Sequence, residues 1–110
     1  RLIGFPTANI EIEGYSQPNY GVYAVTVKII NKSKRNMDYK GIANFGIRPT
    51  FNKKKPLLEV YLFDFNLNIY NSTLKVNFID FIRNEKKFSG IDSLKTQLNK
   101  DILKAKQILR

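Results

Sequence analysis

Residues 22–30, with the sequence VYAVTVKII, decide the fold class of this 110-residue chain. The stretch is dominated by β-branched and aromatic residues, which favour an extended strand over a helix. A polar, basic turn follows from Asn31 to Asn36, and a second apolar run extends from about Tyr39 to Phe45. The two runs together predict a β-hairpin.

Further strands are predicted on both sides of this hairpin. Leu2 to Ile12 has the composition of a strand with a proline-containing bend, and Leu57 to Phe63 is apolar except for one glutamate. Leu74 to Ile82 alternates in the manner of another strand. Gly46 to Pro56, which contains a run of lysines, is expected to be a loop.

The hydrophobic period changes near the C-terminus, where three- and four-residue steps replace alternation. This spacing is typical of an amphipathic helix, and we expect its stripe to pack on the core. Ser89 followed by Asp92 resembles a capping pair at the start of the helix. Several strands and one terminal helix predict a single mainly β domain over residues 1–110, a small barrel or sandwich covered by the helix. The apolar stripe of the predicted helix consists of Ile91, Leu94, Leu98, Ile102, Ala105 and Leu109.

The amino-acid composition limits which partners and catalytic groups the chain can use. Lysine and arginine outnumber acidic residues 19 to 9, which gives a net charge of +10 and favours polyanionic partners such as nucleotides or nucleic acid. We expect the positive charge to reflect a solvated, lysine-rich surface rather than direct binding of nucleic acid. The chain has no cysteine, so it has no disulfide or thiolate metal site, and no histidine, so a general base must be Asp, Glu, Lys or Tyr. No apolar run approaches the ~20 residues of a membrane span, and we expect a cytoplasmic protein.

A compact motif lies at the start of the chain, where a glycine, a proline, a hydroxyl and a carboxamide fall within Gly4 to Asn9. It lacks the lysine of a Walker-type phosphate loop. Thr7 and Asn9 are two residues apart, so in an extended chain they point to the same side. Their oxygens suit a magnesium ion that also carries phosphate oxygens. The alternative is a simple turn into a strand.

Glu59 interrupts the apolar strand Leu57 to Phe63. Alternation assigns it to the face opposite Leu58, Val60 and Leu62. There Glu59 faces either solvent or a substrate at the mouth of a barrel, and the pattern leaves both interpretations open.

Two further segments combine polar residues with structural breaks. Gly41 to Phe51 is either a glycine-assisted bend or a loop that brings Arg48 near anionic groups. Ile82 to Phe88, at the strand-to-helix junction, is either a polar connection or a segment that closes over a ligand.

In this order, the motifs resemble the riboflavin kinase domain, most closely the C-terminal module of bacterial bifunctional riboflavin kinase/FAD synthetases. The resemblance spans nearly the whole chain, and Pro-Thr-Ala-Asn at residues 6–9 is its most specific element. The other matching segments are Gly21-Val22-Tyr23, Gly41 to Asn44 with Gly46, Arg48-Pro49-Thr50, Leu58-Glu59-Val60, Asp64-Phe65, Tyr70, Arg83 with Glu85, Lys87 and Phe88, and Leu94, Gln97 and Asp101.

The resemblance implies a six-stranded Greek-key-type β-barrel with a C-terminal helix. It implies transfer of the ATP γ-phosphoryl group to the ribityl 5′-hydroxyl of riboflavin, which gives FMN and ADP, with Mg²⁺ as cofactor. Thr7 and Asn9 would hold the metal, and Glu59 would be the catalytic base. The residues implied in nucleotide binding are Gly4, Pro6, Thr7, Asn9, Asn44 and Tyr70, and those implied in flavin binding are Arg83, Glu85 and Phe88.

The family normally has a strand and a glycine-containing turn upstream of the motif, so we expect this chain to lack a first strand and to come from a longer protein. An N-terminal FMN adenylyltransferase module is the expected partner in that protein. Two alternatives stay open. One is a non-catalytic basic β-barrel that binds single-stranded nucleic acid. The other is a module that binds flavin without phosphoryl transfer.

Overall fold

A computed structural model describes the backbone of residues 2–4, 10–13, 19–30, 36–49, 54–64 and 73–110. Side chains are described for residues 19–30, 38–47, 57–64 and 73–110. Within these ranges the chain forms six strand segments and one helix: β1 (Leu2–Gly4), β2 (Ile10–Glu13), β3 (Gly21–Ile30), β4 (Asn36–Pro49), β5 (Lys54–Leu62), β6 (Thr73–Arg83) and α1 (Ile91–Ile108).

The strands join into one sheet in the order β1-β5-β4-β3-β6-β2. Neighbouring strands are antiparallel except β2 and β6, which are parallel. The predicted hairpin is confirmed by the pairing of β3 with β4, which runs from Gly21 opposite Phe45 to Ile30 opposite Asn36. The mainly β class with a C-terminal helix is also confirmed. Closure into a barrel, the family's strand count and the single-domain boundary stay predictions.

Two expectations about strand limits need correction. The stretch from Leu2 to Ile12 contains two separate strands, because β1 pairs with β5 whereas β2 pairs with β6. The loop expected from Gly46 to Pro56 is largely strand. Gly46 pairs with Leu57 and Pro49 with Lys54, so the ladder between β4 and β5 satisfies backbone groups well beyond the apolar run.

The sheet buries both of its faces, and the strands use alternate residues for each. One face forms the main core, made of Tyr23, Val25, Val27, Ile29, Ala43, Leu58, Val60, Leu62, Leu74, Val76 and Phe78. The other face carries a smaller cluster under the helix, made of Val22, Ala24, Ile42, Phe63, Ala105 and Leu109. Glu59 belongs by alternation to this second face.

Helix α1 packs on the sheet through its C-terminal half. Ala105 and Leu109 are buried there, whereas Ile91 in the first turn is 69% exposed. The expected capping pair is wrong, because Gly90 is the N-cap and makes no side-chain cap bond. Ser93 instead donates a hydrogen bond from its hydroxyl to the Gly90 carbonyl oxygen. The weakly packed N-terminal half leaves space between the helix and the sheet.

Candidate functional site

One row of residues crosses the sheet at the end nearest the helix N-terminus. Glu59 on β5 lies opposite Asn44 on β4, and Asn44 lies opposite Val22 on β3. Val22 in turn lies opposite Arg83 on β6. Side chains directly opposite one another on one face have Cβ atoms about 4.5–5.5 Å apart. On the outer side Gly4 of β1 pairs with Glu59, so the predicted nucleotide motif begins beside this carboxylate.

Arg83 reaches this row because β6 carries two extra residues. The register of β3 with β6 shifts between Ala24 and Val25 and again between Val22 and Tyr23. Without these two bulges, Phe81 would stand opposite Val22. β-bulges commonly redirect a side chain near a functional site in this way. The two bulges therefore place the guanidinium group of Arg83, rather than the ring of Phe81, opposite Val22.

Gly21 permits the close approach of β3 and β6 that this arrangement needs. Its φ angle is 153°, a backbone conformation that residues other than glycine rarely adopt. A Cβ atom at this position would fall against the Arg83 carbonyl oxygen and the Phe81 ring. The glycine therefore allows the backbone of Arg83 to lie this close to β3.

A cavity of about 250 Å³ lies above the row, between the sheet and the segment that leads into α1. Glu59, Asn44 and Arg83 give it a polar floor, while Phe88 and residues of the helix form an apolar roof. Its volume is near the lower limit of small-molecule pockets, roughly 300 Å³. The cavity therefore suits part of one ligand that combines a hydrogen-bonding chain with an apolar body. It is lined by Val22, Ile42, Asn44, Glu59, Tyr61, Arg83, Lys86, Phe88, Leu94 and Leu98.

A buried ion pair holds Arg83 at the cavity. Its Nε and Nη2 atoms donate to Asp101 Oδ1 at 2.9 Å and Oδ2 at 2.8 Å. The Asp101 side chain is 1% exposed and that of Arg83 is 17% exposed. Gln97 adds a hydrogen bond from Nε2 to Asp101 Oδ1 at 3.0 Å. This planar, two-pronged contact fixes the orientation of the guanidinium group.

The roof segment is tied to the same network. Lys86 Nζ donates to Gln97 Oε1 at 3.2 Å, and Arg83 Nη1 donates to the Asn84 carbonyl oxygen at 3.0 Å. The Arg83 guanidinium carbon lies 5.9 Å from the centre of the Phe88 ring, within the range of a cation–π contact. These contacts hold the residues between β6 and α1 over the cavity.

A protein-family model described as riboflavin kinase matches residues 1–109. The chain belongs to the riboflavin kinase family. The resemblance of its motifs to that family is thus confirmed.

Curated relatives carry the name bifunctional riboflavin kinase/FMN adenylyltransferase. The chain is 49% identical to the Haemophilus influenzae protein over 106 residues, which is 96% of this chain and 33% of that protein. It is 42% identical to the Bacillus subtilis protein, in a match that covers 92% of this chain and 32% of that protein. It is 38% identical to the Escherichia coli K12 protein, in a match that covers 97% of this chain and 33% of that protein. The chain therefore spans about a third of these relatives.

One solved structure also matches in fold. It is the crystal structure of a protein described as a macrolide-efflux protein from Streptococcus pneumoniae, with a TM-score of 0.66 and 38% sequence identity. The match covers 76% of this chain and 26% of that one. Among the residues described for our chain, no helix has the length and apolar character that crossing a membrane requires.

The structure brings several predicted site residues together. Glu59, Asn44, Arg83 and Phe88 all line the cavity. Glu59 thus faces a cavity between the sheet and the helix segment, on the opposite side of the sheet from the main core. Their individual roles stay predictions. The side chains of Gly4, Pro6, Thr7, Asn9, Arg48 and Tyr70 lie outside the described residues.

Glu85 is not among the residues that line the cavity. Its carboxylate rests against Gly46 of β4, where a Cβ atom would collide with it. This contact connects the roof segment to β4. The predicted flavin contact of Glu85 stays a prediction.

Sequence reasoning missed much of the apolar lining. Val22 and Ile42 lie on strands that the sequence predicts. Only the strand register shows that Val22 is in the same row as Glu59 and that Ile42 is on the same face of the sheet. Leu94 and Leu98 were assigned to core packing, whereas both line the cavity. Lys86 belongs to the segment Ile82 to Phe88, which the sequence left open as a polar connection or as a segment that closes over a ligand, and it lines the cavity. Among the described residues there is no group of three or more His, Cys, Asp or Glu side chains placed to hold a metal ion.

Proposed function

We propose that the protein transfers the γ-phosphoryl group of ATP to the ribityl 5′-hydroxyl of riboflavin, giving FMN and ADP. The observation that carries this proposal is the convergence of Glu59, Asn44, Arg83 and Phe88 on one cavity in a chain of the riboflavin kinase family. Segments far apart in sequence supply these residues. That convergence supports a substrate site rather than a set of unrelated surface groups.

Glu59 acts as the general base. It is half-buried at the cavity floor, in a chain without histidine. A carboxylate within hydrogen-bond reach of the acceptor hydroxyl takes its proton as the bond to phosphorus forms. The γ-phosphoryl group then passes to the hydroxyl oxygen, and ADP leaves with the bridging oxygen. Holding the two reactants in line contributes about 7–11 kcal/mol in favourable cases.

The flavin ring occupies the apolar side of the cavity. Phe88, Leu94 and Leu98 offer the kind of apolar and aromatic surface that ring systems bind. Arg83 lies at the edge of that surface, held by Asp101. Its guanidinium group donates to polar atoms of the flavin and keeps the Phe88 side of the roof in place.

The nucleotide binds on the β1 side of Glu59. The motif that begins at Gly4 starts next to this residue in the sheet, which supports the assignment of Pro6, Thr7 and Asn9 to the nucleotide. Thr7 and Asn9 would hold Mg²⁺ through neutral oxygens, and the ion would supply positive charge to the nucleotide phosphates. Tyr70 completes the predicted nucleotide contacts.

In the whole protein, an FMN adenylyltransferase module accompanies this domain. The relatives that carry both activities in their names are about three times as long as the matched region. FMN made here is the substrate that such a module consumes.

Single-stranded nucleic-acid binding is less well supported. It needs several exposed aromatic rings on the strands, but among the described aromatic side chains of the strands Tyr23 and Phe78 are buried and only Phe81 is exposed. The proposed riboflavin kinase activity is tested by incubating the protein with riboflavin and Mg-ATP and separating the products. FMN and ADP should appear in equal amounts. Quenching of flavin fluorescence without ADP formation would instead indicate binding without transfer.

A further inference from the structure

The side-chain oxygen of Asn44 is unpaired among the described residues. This atom, Oδ1, is fully buried and has no hydrogen-bond partner in the described part of the chain. Buried polar atoms are nearly always paired, because loss of water without a new partner costs free energy. The residue lines the cavity. An unpaired acceptor in the lining of a cavity is placed where a donor group of a bound ligand would pair with it.

The position of Asn44 limits what that ligand is. Asn44 lies directly opposite Glu59 across the ladder of β4 and β5, and both line the same cavity. Their Cβ atoms are therefore about 5 Å apart. A ligand that presents one hydroxyl to Glu59 brings its neighbouring groups within reach of Asn44.

The chemistry of the acceptor distinguishes the ribityl chain from the triphosphate of ATP. Phosphate oxygens of ATP are acceptors near neutral pH and cannot donate to an amide oxygen. The ribityl chain carries a hydroxyl on each of several successive carbons, and each can donate. An acceptor beside the base thus matches the polyol chain better than the triphosphate.

We propose that Asn44 Oδ1 accepts a hydrogen bond from a secondary hydroxyl of the ribityl chain while Glu59 faces the terminal hydroxyl. Asn44 is then a specificity residue for the polyol of riboflavin, in place of the nucleotide contact that the resemblance implies. This inference rests on the proposed riboflavin kinase function. It adds a contact that distinguishes riboflavin from flavins without the chain.

The test compares two ligands and one substitution. Riboflavin and lumiflavin share the isoalloxazine ring, but lumiflavin has no ribityl chain. Asn44→Leu removes the acceptor and keeps the number and branching of the side-chain heavy atoms. Binding is followed by flavin fluorescence, with EDTA and, separately, with Mg-ADP. The substitution should weaken riboflavin binding about tenfold and change lumiflavin binding less than about twofold, with or without the metal.

Other outcomes overturn the inference. An equal loss for both flavins, or none for either, shows that Asn44 makes no contact specific to the chain. A loss for riboflavin that occurs only with Mg-ADP shows that the oxygen serves the metal or nucleotide. An unchanged circular dichroism spectrum establishes that the variant is folded, and Asn44→Ala replaces the leucine variant if it is not. Failure of the wild-type protein to make FMN would instead reject the proposed function.

Discussion

Arg83 and Asp101 form a two-pronged ion pair that joins the end of β6 to the middle of α1. The arginine lines the cavity, and the aspartate lies behind it, almost completely buried. Gln97 and, through it, Lys86 extend the contact to the roof segment. One carboxylate thus fixes a proposed ligand contact and the path of the chain above it.

The two partners of this pair should differ in their effect on stability. Arg83→Leu leaves the Asp101 carboxylate buried and without its counter-ion, and we expect a loss of about 3–5 kcal/mol in the free energy of unfolding. Asp101→Leu leaves the charge on Arg83, which is 17% exposed and can turn toward water, so the loss should be smaller. Urea unfolding of both variants measures the difference. A larger loss for Asp101→Leu would contradict this account of the pair.

Gly21 is expected to be intolerant of a side chain. Gly21→Ala forces a positive φ angle on alanine and places a methyl group against the Arg83 carbonyl oxygen and the Phe81 ring. We expect a loss of about 1–3 kcal/mol. Gly90→Ala is the matched control, because a Cβ atom there meets nothing within 4 Å. Thermal unfolding compares the two, and equal losses would show that the approach of β3 to β6 is not constrained at Gly21.

Phe88 should contribute to flavin affinity through its ring. Phe88→Ala removes apolar surface from the roof of the cavity and the ring that faces Arg83, and we expect riboflavin to bind about tenfold more weakly. Phe88→Leu should retain most of the affinity. Lys87→Ala is a suitable control, since Lys87 is exposed and outside the cavity lining. Fluorescence titration with riboflavin provides the measurement. Equal affinities of the alanine and wild-type proteins would remove Phe88 from the site.

The sequence predicted the strands better than the cavity. Alternation correctly separated Leu58, Val60 and Leu62 from Glu59, because burial on one face imposes a period of two. The hairpin of β3 and β4 followed from β-branched composition. The continuation of the ladder to Pro49 could not be predicted, because it depends on pairing with β5 rather than on local propensity.

The site depends on register, which a single sequence does not specify. The motif match identified Arg83, but the two bulges that bring it opposite Val22 leave no local signal. The helix stripe was correctly identified as amphipathic. Its period could not reveal that Leu94 covers a cavity while Ala105 packs on the sheet, because that depends on how the helix lies across the strands.

The central claim is that the cavity is the site of phosphoryl transfer and that Glu59 is its base. The most direct test is the rate of FMN formation from riboflavin and Mg-ATP by Glu59→Gln at saturating substrates. Asp80→Asn, an exposed carboxylate on β6, is the control. We predict that the glutamine variant binds riboflavin normally but turns over about 100-fold more slowly or worse, while the control keeps its rate. Wild-type turnover by Glu59→Gln would contradict the claim.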